Sequence, residues 1–464
     1  MKLKINKFGP INNSCQIDLD KKMMVFVGKN NSGKTYLSQL IWGIYNFDNQ
    51  EEKYYIEDYG HFSTIIKKEN IDININEIFF DNEYRFSVSI NDFLDNFSKN
   101  YSKHISQYKV NKIFKKDIES DLSLKFELKD ILNIKIDDGV SGRNWSMEYF
   151  KEENSNELEI TFILDSDIKK EEIDEIPFEL INRYLEGAII EHTLTKQATY
   201  LPSTRLFLPS FYRYIYSFEK DIKDKMIEEF EKLNSNNKSF FASSYTLPVD
   251  QLMKKLVFEL DKFEKNEFLK KISSIIEGDI TIDKSEDIAM ADLSYIHKKS
   301  GEKLPMHLSS SMVNQLVMVY LFFKYWNDND SLLLLDEPEM NLHPKKKIEL
   351  IELLLDFASK NQLIIATHSS TMAKTIINYI QLFDLKSKID DEKLKTMIEE
   401  NELQLNTNIN LSSNDIAIYY FNGDTIIPYK NENESNIQFG TFTQIEELLN
   451  KQYEYLMDWL YEYN

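Results

Sequence analysis

Apolar and polar positions change period several times along the chain, and each change predicts an element. Lys2-Leu3-Lys4-Ile5 alternates as an edge strand does, Gly9-Pro10 turns, and Cys15 to Leu19 alternates again. Met23 to Val27 is apolar without a break, the pattern of a central strand buried on both faces. A helix is expected from Lys34 to about Asn46. From 48 to about 175 the chain reads as β-rich, with strand-like alternation at Ile71 to Ile75, Arg85 to Ile90, Leu122 to Leu128 and Leu158 to Leu164. Residues 177–195 and 210–276 read as helical. Ile222, Met226, Phe230 and Leu233 have heptad-like spacing, but no heptad run is sustained, which excludes a long coiled-coil arm.

From about 300 the pattern is α/β again. A helix is expected over Val313 to Trp326, and Leu332 to Leu335 and Leu363 to Ala366 are short apolar strands separated by a helix. Ile416 to Phe421 and Thr425 to Tyr429 flank an Asn-Gly-Asp turn. Thr443 and Glu446 make a Thr-x-x-Glu capping box that opens a last amphipathic helix, with Ile445, Leu448, Leu449, Leu456, Trp459 and Leu460 on one face. The aromatic tail from Tyr453 to Tyr463 is expected to pack on the core.

Composition narrows the class. A chain of 464 residues predicts two or three domains, and 42% apolar with 13% aromatic residues is enough to build them. The formal charge of −22 argues against a protein coated in nucleic acid. One cysteine, Cys15, excludes an internal disulfide and a four-cysteine zinc site. No apolar leader opens the chain, and the apolar run Leu316 to Phe323 is far short of the ~20 residues a bilayer needs, so a soluble, cytoplasmic protein is expected. Three parts are expected: 1–47 and 301–464 as two pieces of one head, and 48–300 as a β-rich extension with a largely helical insertion that senses a trigger or binds a partner.

The chemistry is concentrated in four places. Gly28-Lys29-Asn30-Asn31-Ser32-Gly33-Lys34-Thr35 fits G-x-x-x-x-G-K-[ST] between a buried strand and a helix, the context a P-loop requires. There the backbone N–H groups cradle phosphates, Lys34 reaches the β- and γ-phosphates, and Thr35 binds Mg²⁺. A plain glycine turn would explain the loop, but not its place between those two elements. Leu332 to Leu335 delivers Asp336 and Glu337 to the carboxyl end of a strand, where α/β sites lie. Asp336 is expected to hold Mg²⁺ and Glu337 to polarise the attacking water. The strand Leu363 to Ala366 delivers His368, a candidate partner of the γ-phosphate or that water. Ser309-Ser310-Ser311 precedes a helix and reads either as an N-cap cluster or as a second anion site. The second reading needs another chain's phosphate, and so a head-to-tail dimer with ATP at the interface.

The order P-loop, serine turn, Asp-Glu, His resembles that of ABC-type ATPases. The strings FVGKNNSGKT, LLLLDEPEMNLHP and IIATHSS resemble the OLD-like, SMC-related branch, and YLPSTR, Tyr200 to Arg205, resembles a segment these proteins carry. The resemblance spans 1–47 and about 200–430. It implies an ABC-type head, a P-loop NTPase sheet with an antiparallel β lobe. In that head Glu337 is the catalytic base, Ser310 leads the signature, and Glu339 to His343 communicate across the dimer. It also makes Gln197 a candidate Mg²⁺ ligand and turns Arg205 toward the nucleotide or a partner. Met312 stands where relatives often have glycine, and a side chain there is expected to crowd a phosphate from the other chain and slow turnover. Similar Ser-Ser-Met strings resemble ATPase subunits of anti-phage systems such as PARIS and Septu. The two-metal carboxylate set of a Toprim nuclease is absent after His368, so any nucleic-acid cleavage belongs to another polypeptide.

The expected function is therefore that of an ATPase sensor or scaffold. It forms dimers or larger oligomers and controls a separate effector, a nuclease, with a phage protein as trigger. Three alternatives remain at this point: a DNA-repair or chromosome ATPase of SMC or RecF type, the nucleotide-binding subunit of a transporter, and a scaffold locked by ATP with little turnover. Transport is disfavoured by the long stretch between Thr35 and Leu308. For nucleic acid or an acidic protein, the best local candidate is the segment with Lys103, Lys109, Lys112, Lys115 and Lys116, interleaved with Tyr101, Tyr108 and Phe114. The plainer reading is a solvated lysine face.

Overall fold

The computed structural model describes residues 1–46, 83–127, 132–140, 143–164, 196–209, 245–260, 266–285, 288–328, 330–403 and 405–429, single positions within 185–194, and 451–452. The strand reading at Ile71 to Ile75, the heptad-like positions from Ile222 to Leu233, the helix from Thr443 and the tail from Tyr453 lie outside them.

The first elements follow the predicted order: β1 (Lys2–Phe8), β2 (Cys15–Asp18), β3 (Met23–Gly28) and α1 (Lys34–Tyr45). Then come β4 (Glu83–Ser89) and α2 (Ile90–His104), which runs through a π-turn over Ile105–Lys109 into α3 (Val110–Phe114). Strands β5 (Ser120–Lys125), β6 (Leu132–Val140), β7 (Arg143–Lys151), β8 (Glu157–Leu164) and β9 (Ala198–Leu201) follow. Helices α4 (Leu247–Phe258) and α5 (Glu267–Ile275) lead to β10 (Gly278–Ser285), β11 (Ile288–His297) and β12 (Lys303–Pro305). The last third is α6 (Ser311–Leu321), β13 (Leu332–Asp336), α7 (Pro344–Ala358), β14 (Gln362–Thr367), α8 (Ser370–Lys386), α9 (Asp391–Glu400), β15 (Ile416–Asn422) and β16 (Thr425–Pro428).

Six strands form the central sheet in the order β16-β15-β3-β14-β13-β9; all neighbours are parallel except the β15–β16 hairpin. The unbroken apolar runs follow from its burial on both sides, because side chains alternate between two cores. Met23, Val25, Val27, Leu333, Leu335, Leu363 and Ile365 enter the core built with α4 to α8 and β10 to β12. Met24, Phe26, Leu332, Leu334, Ile364 and Ala366 enter the other, built with α1, α2, α3 and the sheet β2-β1-β5. Truncating one of these leucines to alanine costs about 2–5 kcal/mol.

The segment 48–300 does not stand apart from the head, which corrects the three-part division. Its β5 pairs with β1, its β9 is the edge of the central sheet, and its α4, α5, β10 and β11 contribute Leu252, Leu256, Phe268, Ile280 and Tyr295 to a core shared with Leu333 and Ile365. Where the stretch read as helical is described it is helical, in α4 and α5, and the other described residues of 48–300 hold β4 to β11, with the antiparallel sheet β4-β8-β7-β6 and the hairpin β10-β11. Around Ile280, Ile282, Leu293 and Tyr295 the apolar positions recur every second residue, a strand period that begins just after the stretch read as helix.

The lysine face is also broken. The π-turn inserts one residue into the helical register, so Lys109 turns inward and is 2% exposed beside Gly43 of α1, with Tyr101, Ile105, Val110 and Ile113 buried in the same row. Among the described residues no helix is long and apolar enough to cross a membrane.

Candidate nucleotide site

The site lies at the carboxyl ends of β3, β13 and β14. The loop from Gly28 to Gly33 needs its glycines. A Cβ at Gly28 would run into the Phe421 carbonyl of the neighbouring strand. Gly33 has φ +96°, and a Cβ there would meet Pro10 at 3.0 Å and Ile11 at 3.1 Å in the β1–β2 turn. Asn31 is also left-handed, at φ 61°. Ser32 Oγ donates to the Lys29 carbonyl at 2.7 Å, and Lys34 Nζ donates to the carbonyls of Gly28 at 2.9 Å and Lys29 at 2.6 Å. Burial pushes the Lys34 ammonium below its usual pKa, while Glu337, Asp336 and Glu339 pull it back up. The two distant halves of the sequence therefore share one electrostatic environment.

Asp336 ends β13 and is 1% exposed. Its Oδ2 accepts from the Tyr200 hydroxyl at 2.8 Å, and Gln39 Nε2 in turn donates to that hydroxyl at 3.2 Å. Burial raises the Asp336 pKa; the Tyr200, Thr35 and Ser38 hydroxyls and the Arg205 charge oppose it. Asp336 Oδ1 and Ser38 Oγ are buried and lack a partner of ordinary hydrogen-bond geometry. Hard oxygen donors around one buried carboxylate suit Mg²⁺, which takes one or two carboxylates and completes its shell with water and phosphate oxygens. The residues present fit that ion.

Glu337 sits at φ 45°, a left-handed conformation that costs a non-glycine residue about 1–2 kcal/mol. Three contacts hold it. Its N–H donates to the Ala366 carbonyl at 2.7 Å, and its own carbonyl accepts from Arg205 Nη2 at 3.0 Å and Gln315 Nε2 at 3.4 Å. The Glu337 side chain then lies with Oε1 3.1 Å from His368 Nδ1. His368 is 42% exposed, so its ring borders both the carboxylate and open solvent. Behind it, buried Glu339 accepts from Thr367 Oγ1 at 2.5 Å and from the His368 N–H at 3.3 Å, while its Oε2 has no partner.

The structure thus brings together Gly28, Lys29, Asn30, Asn31, Ser32, Gly33, Lys34, Thr35, Asp336, Glu337 and His368 on adjacent strand ends. It does not bring in Gln197. That residue is exposed at the start of β9, where its carbonyl accepts from the Leu332 N–H at the far end of β13, so the Mg²⁺ assignment is corrected. Strand direction decides the matter: only carboxyl ends face the loop. Arg205 faces neither nucleotide nor partner. It is fully buried, and burial lowers its pKa to about 10 against the pull of Asp336 and Glu339.

The serines stand apart. Ser309 Oγ donates to the Met306 carbonyl at 2.7 Å, Ser310 Oγ accepts from the Val313 N–H at 3.2 Å as the N-cap of α6, and Ser310 and Ser311 are exposed. Met312 is half-buried and packs on the core. Sequence reasoning missed Ser38, Gln39 and Gln315, which lie outside every quoted string, and the inward roles of Thr367, Tyr200 and Glu339, which lie inside them.

Residues 1–373 match the family profile described as AAA ATPase domain, and the chain belongs to that family. Its fold is α/β, a mostly parallel six-stranded sheet with antiparallel sheets around it. No curated protein matches the sequence. Among solved structures, the chain is similar to an SMC head bound to the C-terminal winged-helix domain of ScpA, at 9% identity over 93% of this chain and 97% of that one, TM-score 0.35. It is also similar to the SMC head domain of Thermotoga maritima, at 11% identity over 92% and 98%, TM-score 0.29. A third is an SMC head with an extended coiled coil bound to the C-terminal domain of ScpA from Pyrococcus furiosus, at 10% identity over 97% and 98%, TM-score 0.30. Likeness at this level carries no argument about function.

Proposed function

We propose that this chain binds ATP with Mg²⁺ and hydrolyses it between two copies arranged head to tail. The observation that carries the reading is the shared electrostatic environment at adjacent strand ends. Lys34, delivered by the first forty residues, lies in the field of Asp336, Glu337 and Glu339, delivered three hundred positions later. The loop amides and Lys34 bind the triphosphate, Thr35 and Asp336 hold the ion, and the exposed His368 ring beside Glu337 contacts the γ-phosphate end. Bound Mg²⁺ supplies charge neutralisation at the β- and γ-phosphates. Glu337 takes up a proton from the attacking water at its carboxylate, and the left-handed backbone at Glu337 aims that carboxylate at the γ-phosphate. Ser310 and Ser311, exposed at the start of α6, are available to a second copy's phosphate.

At the cellular level we read the protein as a cytoplasmic sensor or scaffold of a bacterial anti-phage complex. Its dimers, or larger oligomers, control a separate nuclease effector and respond to a phage protein. The support is the motif resemblance, together with a net charge of −22, which suits protein partners better than naked DNA. Phosphate release is the test, measured for wild type and Glu337→Gln with and without DNA, alongside the mass of the ATP-bound species in solution. Turnover that Glu337→Gln leaves unchanged removes catalysis and leaves an ATP-locked scaffold. Strong stimulation by DNA moves the protein to the chromosome class.

A further inference from the structure

Tyr200 and Arg205, at the two ends of one short segment, are buried and touch both acids of the site. Tyr200, paired with Leu334 in the β9–β13 register, points into the α1 side of the sheet and donates to the Asp336 carboxylate. Past Pro202 the chain turns to the opposite, α6 side. There the Arg205 guanidinium donates to four carbonyls: Pro202 at 2.9 Å, Gln315 at 3.1 Å, Glu337 at 3.0 Å, and Asp336 through Nη1. Those last two carbonyls flank the left-handed residue, and the Gln315 carbonyl belongs to α6, a turn beyond the exposed serines.

We propose that Tyr200 and Arg205 are positioning residues with separable tasks: Tyr200 sets the carboxylate of Asp336, and Arg205 locks the backbone of Glu337 to the helix that begins at the serines. The proposal rests on the roles given above to Asp336 and Glu337. It assigns the two residues different kinetic signatures, because an ion-holding carboxylate and a water-polarising one act at different steps. A residue that merely supported the fold would lower both quantities together.

The experiment titrates Mg²⁺ and ATP for wild type, Tyr200→Phe, Arg205→Lys and Glu337→Gln. It reads phosphate release and, independently of turnover, Mg²⁺-dependent binding of a fluorescent ATP analogue. Tyr200→Phe is expected to raise the Mg²⁺ concentration for half-maximal binding and activity by about tenfold, with kcat at saturating Mg²⁺ within about twofold of wild type. Arg205→Lys is expected to lower kcat by about tenfold or more, with analogue binding and Mg²⁺ half-saturation unchanged, because a lysine cannot span the carbonyls that the guanidinium fork reaches. If both variants shift both quantities, or if neither shifts any, the proposal is overturned. If Arg205→Lys does not fold, as judged by thermal melting, Gln315→Leu removes the other donor to the Glu337 carbonyl. A loss of about threefold in kcat alone then supports the proposal, and unchanged kcat overturns it. Wild-type turnover in Glu337→Gln defeats the underlying reading instead, and so separates the two failures.

Discussion

Two helix starts in this protein look alike in sequence and differ in everything around them. The loop before α1 and the serine turn before α6 both present free N–H groups and hydroxyls suited to an anion. The loop before α1 is walled in by the β1–β2 turn and Phe421, and has a buried lysine and three carboxylates within electrostatic reach. The serine turn has Ser310 and Ser311 exposed, and its contacts stay within its own neighbourhood: Met306, Val313 and Asn314. A phosphate at the first is surrounded by one chain; a phosphate at the second needs another molecule to bring it. The difference teaches that a helix start becomes a site only through what the rest of the fold sets opposite it.

The largest break in that comparison comes from Lys34→Ala. It removes the buried cation of the first site and is expected to cost ATP turnover by about 10²–10⁴-fold in a phosphate-release assay. Near-normal turnover would show that the loop is not the site. Glu337→Gln should lose about 10²–10³-fold in turnover yet keep nucleotide affinity by equilibrium binding, because it removes the proton acceptor and leaves the phosphate contacts intact. Ser310→Asp sharpens the contrast. Aspartate caps a helix as well as serine does, so the melting temperature should hold, while its charge repels a partner's triphosphate. ATP-dependent dimers of the Glu337→Gln background should disappear with it, and turnover should fall by about tenfold or more in the otherwise wild-type protein. Persistence of the dimers counts against the head-to-tail arrangement.

The smallest effect is on stability and separates the two starts by pH. Burial raises the Asp336 pKa, so its ionised form costs stability. The cost is absent below the ordinary carboxylate value of 3.8 and is fully present once the pH exceeds the raised folded value. Asp336→Asn should therefore melt higher at neutral pH while losing Mg²⁺-supported hydrolysis. The gain should shrink as pH falls towards about 4 in thermal melts. A variant that melts lower than wild type at neutral pH defeats the assignment.

Much of this was legible in the chain. Met23 to Val27, Leu332 to Leu335 and Leu363 to Ala366 announced central strands, because burial on both faces leaves no polar position to interrupt them. The loop glycines, Lys34, Asp336, Glu337 and His368 were readable for the same local reason: each follows a strand at a fixed offset. Strand β9 was not. Its four residues are too few to show a period, and with it went the direction of Gln197 and the inward turn of Arg205. The sheet β10-β11-β12 was hidden in a stretch that also carries helix formers. Lys109 misled because a π-turn, which leaves no mark in composition, shifted it from one face of the helix to the other.

Sequence alone settled which backbone segments could exist and which side chains stood at their ends, since strand burial and glycine conformations are imposed by near neighbours along the chain. Only the folded arrangement decided which of those ends meet. The pairing that sets β3 beside β14, the tyrosine under Asp336 and the arginine behind Glu337 arise from contacts between residues more than a hundred positions apart, whose closure no local pattern encodes.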